Sequence, residues 1–158
     1  MQHRLGFIGC GNMAQAIAGG AIKRGVIDAK DVIASDPSDQ NRGVFADWGC
    51  ATATENQAVA AEAEQVLLAV KPQIYPRVAP DLAAYPSDEQ VLISIMAGLS
   101  SSKIAELIGS PRRVVRVMPN TPAWSVRAWP ASRSNAKRPR RHRRPGSQGA
   151  RKLELSGR

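Results

Sequence analysis

The fold is decided by the stretch Leu5–Ala14, with the sequence LGFIGCGNMA, near the start of a chain of 158 residues. Its first four residues form a short apolar run that predicts a β-strand, and residues 12–24 place apolar side chains at helical spacing. The pattern G-x-G-x-x-A lies at the turn between the two elements, which is the setting in which it binds a dinucleotide. A glycine-rich turn that binds no ligand is the alternative interpretation.

Each small residue of this pattern has a physical role. Gly9 permits a tight turn, and Gly11 has no side chain, so that the backbone can approach a pyrophosphate closely. Ala14 allows the helix to pack against the strand. The N-terminus of that helix then offers unpaired N–H groups and a partial positive charge to the phosphates.

The rest of the first 123 residues alternates short apolar runs with helical stretches. Strands are predicted at Val32–Ser35, Val66–Val70, Val91–Met96 and Val114–Met118, and helices at Gln40–Trp48, Ile74–Ala84 and Lys103–Ile108. The last helix has an N-cap within Ser100–Ser102 and is expected to end at Gly109. This order predicts an α/β fold with a doubly wound parallel sheet of the Rossmann type. A flavodoxin-type domain has the same periodicity, so the periodicity alone does not identify the ligand.

The end of the second predicted strand carries an acid, Asp36, at about the distance from the glycine pattern at which a ribose-binding acid is expected. An Asp here favours NAD(H), because it accepts a hydrogen bond from the ribose 2′-hydroxyl. Ser35 and Ser38, with Arg42 nearby, instead favour the 2′-phosphate of NADP(H). A simple turn role for Asp36 before Pro37 is a further alternative.

The net charge of +9 comes from the C-terminal segment alone. Residues 1–123 carry 11 basic and 12 acidic side chains, whereas residues 124–158 carry 11 basic side chains and one acid. Such a segment, rich in Arg and Pro, cannot bury enough apolar area to offset its ordering entropy. We therefore expect a domain over residues 1–123 and a disordered basic tail over residues 124–158.

Composition excludes several classes of protein. The two cysteines, Cys10 and Cys50, form no disulfide framework, and this favours a cytoplasmic setting. No apolar run reaches 18 residues, so a membrane partner is not expected. The basic tail lacks interleaved aromatic residues, so we expect no specific nucleic-acid recognition, although a non-catalytic module with a basic tail is an alternative. No metal site is predicted.

Three further segments, all at the carboxyl ends of predicted strands, narrow the family. They are AVKP at residues 69–72, SIMAG at residues 94–98 and RVMPNTP at residues 116–122. Together with FIGCGNM at residues 7–13, they resemble pyrroline-5-carboxylate reductase over residues 5–123. A dehydrogenase of the β-hydroxyacid type shares G-x-G-x-x-A, but AVKP and MPNTP argue against it.

The resemblance implies reduction of the C=N bond of 1-pyrroline-5-carboxylate, a small imino acid, to L-proline by NADP(H), with NAD(H) as the alternative cofactor. It implies that the cofactor pyrophosphate contacts Ile8, Gly9, Cys10, Gly11, Asn12 and Met13, and that the adenosine ribose contacts Ser35 and Asp36. A further cofactor contact is implied for Asn56 in the loop after the third strand. Towards the nicotinamide the implied contacts are Ala69, Val70, Lys71 and Pro72, with Ala97 and Asn120 beside it. The alternatives to cofactor contact are that Lys71 is only an exposed lysine at a strand end and that Asn56 is only a turn residue. No catalytic residue is assigned, because the proton donor is expected outside this chain.

The family continues into a helical domain that forms homo-oligomers and supplies most of the imino-acid pocket. The basic tail stands in its place, and we therefore expect cofactor binding with little reductase activity. Out-of-frame translation is a hypothesis for the tail: residues 124–130 can be encoded so that one restored nucleotide gives LVGEGLA, a continuation of the kind this family shows. Resequencing the codons for residues 121–130 tests it, and an unchanged reading would favour a natural basic tail.

Overall fold

The computed structural model describes residues 2–84, 89–109 and 112–118. Within these ranges, six strands alternate with five α-helices. They are β1 (His3–Ile8), α1 (Asn12–Lys23), β2 (Val32–Ser35), α2 (Asp39–Asp47), β3 (Ala51–Ala53), α3 (Asn56–Glu62), β4 (Ala63–Leu68), α4 (Tyr75–Ala83), β5 (Val91–Ser94), α5 (Ser101–Ile108) and β6 (Arg113–Arg116). A short 3-10 helix, Ala29–Asp31, precedes β2.

The strands form one sheet in the order β3-β2-β1-β4-β5-β6, and every neighbouring pair is parallel. β1 lies in the interior of the sheet, where Leu5 pairs with Val32 of β2 on one side and with Gln65 of β4 on the other. The strand order reverses between β1 and β4, and such a switch point is where ligands bind in open α/β sheets. The predicted doubly wound parallel sheet is confirmed.

Both faces of the sheet are covered by helices. Consecutive residues of β1 show this, because Phe7 packs in one hydrophobic cluster and Ile8 in the other, and neither is exposed. The Phe7 cluster includes α1 and α2, and the Ile8 cluster includes α3, α4 and α5. Burial of each such side chain contributes about 1.5–3 kcal/mol to the stability of the fold. The apolar runs of the strands follow from this two-sided burial.

The start and the end of α5 are set by residues directly beside the helix. The Ser100 hydroxyl accepts a hydrogen bond from the Lys103 N–H at 3.1 Å, which caps the start of α5. Gly109 ends the same helix in the left-handed conformation, with a φ of +74°. The cap and the end of this helix lie where the sequence predicts them. Pro76 lies in the first turn of α4, and that helix continues through Pro80 to Ala83.

Strand ends differ from the sequence prediction. β4 ends at Leu68 rather than Val70, and β5 ends at Ser94 rather than Met96, because the ladder of paired residues stops at Leu68 opposite Ser94. The apolar runs continue into loops beyond the last pair. β6 likewise covers Arg113–Arg116 instead of Val114–Met118. Asn56, expected in a loop, is the first residue of α3.

Gly6 in β1 allows α3 and the sheet to approach each other closely. A Cβ atom at this position would lie 2.4 Å from Val59 Cγ1 and 2.8 Å from Ala63 Cβ. Such distances are shorter than real carbon contacts, so only glycine fits without a shift of the helix. The close approach brings the start of α3 towards the carboxyl ends of β1 and β2.

Candidate functional site

The loops that follow β1, β2, β4 and β5 leave the sheet at the same edge. Ile8 pairs with both Ser35 and Leu68, and Leu68 pairs with Ser94, so these four strands end at one level. The predicted site residues at the ends of these four strands therefore lie at one edge of the sheet. They are Gly9–Met13 after β1, of which Asn12 and Met13 begin α1, Ser35 and Asp36 at the end of β2, Ala69–Pro72 after β4, and Ala97 after β5.

Gly9 makes the turn between β1 and α1. Its φ is +96°, which residues with a side chain rarely adopt. Its N–H donates a hydrogen bond to the Ser35 carbonyl at 2.8 Å. A Cβ here would lie 2.9 Å from the Ala69 carbonyl oxygen and 3.2 Å from Val70 Cγ1. The turn is therefore held between the ends of β2 and β4.

The N-terminus of α1 faces open space. Gly11 is the N-cap residue, and no side chain caps the helix. A Cβ on Gly11 would meet no atom within 4 Å, and the next residue, Asn12, is exposed. The first N–H groups of a helix have no partner within the helix, so an anion placed here meets donors and the positive end of the helix dipole.

The Asp36 carboxylate joins the glycine loop to the turn after β2. Oδ2 accepts a hydrogen bond from the Cys10 N–H at 2.8 Å, and Oδ1 accepts from the Ser38 N–H at 2.9 Å and from Asn41 Nδ2 at 3.3 Å. The bond to Ser38 is that of a turn residue, as the alternative interpretation of Asp36 expects. No sequence spacing indicates the bond to Cys10.

Arg42 in the first half of α2 places a cation beside this turn. One guanidinium nitrogen donates to the Asp36 carbonyl, and the other pairs with the Asp39 carboxylate. The Arg42 side chain is 15% exposed, whereas that of Asp39 is 93% exposed. The guanidinium is therefore held in place at the end of β2, where the sequence predicts the adenosine ribose.

A chain of hydrogen bonds joins β2, α3 and α4. The Ser35 hydroxyl donates to Asn56 Oδ1 at 2.9 Å, and Asn56 Nδ2 donates to Asp81 Oδ2 at 2.8 Å. Gln57 Nε2 donates to the second Asp81 oxygen at 2.6 Å. The structure thus brings together the predicted residues Ser35 and Asn56. Sequence reasoning missed Asp81 and Gln57, since no pattern links positions so far apart in the chain.

The remaining predicted residues that the structure describes lie at the same edge. The Ala69 N–H donates to the Ile8 carbonyl at 2.9 Å, which holds the AVKP loop against the glycine loop. Lys71 is exposed, and its carbonyl accepts the Ile74 N–H at 2.9 Å. Ala97 is exposed beside Gly98, whose φ is +78°. Asn120 lies outside the described residues.

The Cys10 thiol lies inside the glycine loop and is buried. Burial raises its pKa to about 12, and the negative charge of Asp36 contributes to this rise. Its sulfur lies 3.5 Å from the Ser35 carbonyl as a weak donor. Burial also raises the pKa of the Cys50 thiol. Cys10 is therefore a neutral packing residue at neutral pH.

The raised pKa of Cys10 predicts a loss of stability at alkaline pH. Below about pH 9 both states hold the proton, whereas above it only the unfolded chain releases it, until the folded thiol titrates near pH 12. The free energy of unfolding should therefore fall across this window. Tyr75, whose pKa burial raises to about 12, acts in the same direction. Urea unfolding at several pH values should show a shallower fall for Cys10→Ala, and equal slopes would contradict the prediction.

The chain is similar to a described protein family and to curated proteins. Residues 4–98 match the family model described as NADP oxidoreductase, coenzyme F420-dependent. Pyrroline-5-carboxylate reductase of Haemophilus influenzae is 48% identical over 124 residues, which cover 78% of this chain and 45% of the relative. The chain thus spans less than half the length of this relative.

Two solved structures share the fold. That of a pyrroline-5-carboxylate reductase from Coxiella burnetii has a TM-score of 0.72 and 33% identity, covering 78% of this chain and 46% of the other. That of Plasmodium falciparum pyrroline carboxylate reductase with NADP bound has a TM-score of 0.66 and 33% identity, covering 78% and 45%. The resemblance stated from the residues is confirmed.

In the described part of the chain no helix is long and apolar enough to cross a membrane.

Proposed function

The chain belongs to the family described as NADP oxidoreductase, coenzyme F420-dependent, and from this membership we propose that its glycine loop binds the pyrophosphate of NADP(H). The observation that carries the proposal is the open, uncapped N-terminus of α1 at Gly11. It offers N–H donors where no side chain obstructs a phosphate. The residues present therefore fit the dinucleotide.

We assign the ends of the dinucleotide by the strand from which each loop departs. Residues 8–13 bind the pyrophosphate, and Ser35, Asp36 and Asn56 meet the adenosine ribose. Residues 69–72 and Ala97 lie on the nicotinamide side, with Asn120 as a further candidate there. The bound cofactor supplies the hydride, and the chain supplies binding and orientation.

The substrate is proposed from the relatives. Relatives of the chain are named pyrroline-5-carboxylate reductases, so we propose that the hydride reduces the C=N bond of 1-pyrroline-5-carboxylate to give proline. We assign only the cofactor site to the described residues. The proposal includes a homo-oligomer for the family and a cytoplasmic setting, which the two free thiols support.

Direct titration tests the proposed function. The chain of 158 residues should bind NADPH saturably, as followed by calorimetry or by cofactor fluorescence, while a cooperative thermal transition shows that it is folded. A folded chain that binds no dinucleotide would overturn the proposal. Proline formation at the rate of a complete reductase would contradict only the expectation of low turnover.

Arg42→Leu should discriminate between the two dinucleotides. Its guanidinium lies where the 2′-phosphate of NADP is expected, and a charge-assisted hydrogen bond contributes about 1.5–3 kcal/mol. We therefore expect NADPH to bind about 10- to 100-fold more weakly, with NADH binding little changed. Arg77→Leu, which removes an exposed cation from α4, is the matched control. Equal weakening of both cofactors would show that Arg42 only supports the turn through Asp36.

A further inference from the structure

The side chain of Asn56 has its orientation fixed from α4. Its amide has one end that only donates and one end that only accepts hydrogen bonds. The Asp81 carboxylate accepts and does not donate, so the end of Asn56 that faces α4, 2.8 Å away, is the NH2 group. The carbonyl end must then face β2, where the Ser35 hydroxyl donates to it at 2.9 Å.

The same logic fixes the direction of a buried hydroxyl. Ser35 is 0% exposed, and its Oγ also lies 3.4 Å from the Phe7 carbonyl. A hydroxyl has a single hydrogen, and the shorter bond to Asn56 takes it. If the amide were reversed, its NH2 group would face Ser35, and the hydroxyl would turn to Phe7. The Asp81 carboxylate on α4 thus sets the orientation of the Asn56 amide and, through it, the direction in which the Ser35 hydroxyl donates.

We propose that Asp81 is a positioning residue for dinucleotide binding and acts through Asn56. This inference rests on the proposed function, in which Ser35 and Asn56 meet the adenosine ribose. A ribose hydroxyl placed beside Asn56, which is half-buried, meets an amide whose donor and acceptor ends are set in advance, whereas the fully buried Ser35 hydroxyl acts from behind it. Binding then does not have to select one of two amide orientations, and this preorganisation strengthens it.

Asp81→Asn is the direct test, because it keeps the size of the side chain and removes its acceptor-only character. The new amide can present its NH2 group to Asn56, so the orientation of Asn56 is no longer specified. We expect the dissociation constant for NADPH to rise about tenfold, or about 1.4 kcal/mol. The constant for 2′,5′-ADP, which carries only the adenosine end, should rise by the same factor. Asp81→Glu, which keeps a carboxylate, should restore most of the affinity.

A double-mutant cycle separates this role from a structural one. In an Asn56→Ala background, Asp81→Asn should leave the dissociation constant for NADPH unchanged, because Asp81 has nothing left to orient. Gln57→Ala is the matched control, since Gln57 donates to the same carboxylate at 2.6 Å but is not assigned to the cofactor site. It should leave NADPH binding unchanged. Thermal melting of every variant establishes that each is folded.

The outcomes distinguish the two proposals. If the unaltered, folded chain binds no dinucleotide, the proposed function fails and the role of Asp81 fails with it. If the unaltered chain binds NADPH and Asp81→Asn binds it equally well, only the role of Asp81 is overturned. If the losses of NADPH affinity caused by Asn56→Ala and by Asp81→Asn add in the double variant, Asp81 has a purely structural role. The same conclusion follows if Gln57→Ala weakens NADPH binding as much as Asp81→Asn does.

Discussion

Gly11→Val abolishes measurable dinucleotide binding while the chain stays folded: this is the expected result with the largest effect on binding. Gly11 has a φ of −70° and a ψ of −179°, which any residue adopts, and a Cβ there meets no atom within 4 Å. The fold therefore tolerates a side chain. The two valine methyl groups would occupy the space through which a pyrophosphate approaches the N-terminus of α1.

The measurement pairs a titration with a thermal melt. We expect the dissociation constant for NADPH to rise at least about 100-fold, equivalent to about 2.7 kcal/mol, with little change in Tm. Gly20→Ala is the control, because Gly20 lies in the same helix and also faces open space. It should bind NADPH normally and melt slightly higher, since Ala favours a helix over Gly by about 1 kcal/mol. Normal NADPH binding by Gly11→Val would show that the pyrophosphate does not approach this residue.

Gly9→Ala should have the largest effect on stability. Its φ of +96° disfavours a side chain, and its Cβ would lie 2.9 Å from the backbone oxygen of Ala69, which cannot rotate away. Positive φ costs roughly 1–2 kcal/mol, and overpacking of a buried site costs about 1–3 kcal/mol more. We therefore expect the free energy of unfolding to fall by about 2–5 kcal/mol. Dinucleotide binding should be lost as well, because the loop must move away from β4.

A second glycine separates the two causes. Gly25 also has a positive φ, +67°, but a Cβ there meets no atom within 4 Å. Gly25→Ala therefore measures the backbone strain alone, which we expect to be about 1–2 kcal/mol in urea unfolding. If Gly9→Ala destabilises the chain no more than Gly25→Ala does, the close approach of Gly9 to Ala69 contributes nothing.

The sequence predicts those parts of the fold that depend on neighbouring residues. The turn at Gly9, the cap at Ser100 and the helix end at Gly109 each need only a few adjacent positions, and the structure has all three. The apolar runs predict ends for β4 and β5 that lie two residues beyond the observed ones, because a strand ends where its partner leaves the ladder rather than where its apolar run stops. The short helix α3 lacks a run long enough to show helical periodicity.

The same distinction applies to the candidate site. Parallel strands bring their carboxyl ends to one edge, so loops from distant parts of the sequence can be assigned to one site from the strand pattern alone. The strand pattern does not predict the individual hydrogen bonds within that site. The bond from Cys10 to Asp36 spans 26 residues, and that from Asn56 to Asp81 spans 25. Neither separation is a helix or strand period, so only the folded geometry reveals these bonds.

The interior position of β1 has a consequence for how the protein forms during synthesis. Leu5 pairs with Gln65, so the first strand of the sheet waits for a partner that the ribosome adds sixty residues later. At about 5–20 residues per second this takes about 3–12 s. Until then β1 can pair only with β2, and its pairing with β4 must close a loop of about sixty residues, at an entropic cost that rises slowly with loop length. One edge of β1 therefore has no strand partner until β4 emerges.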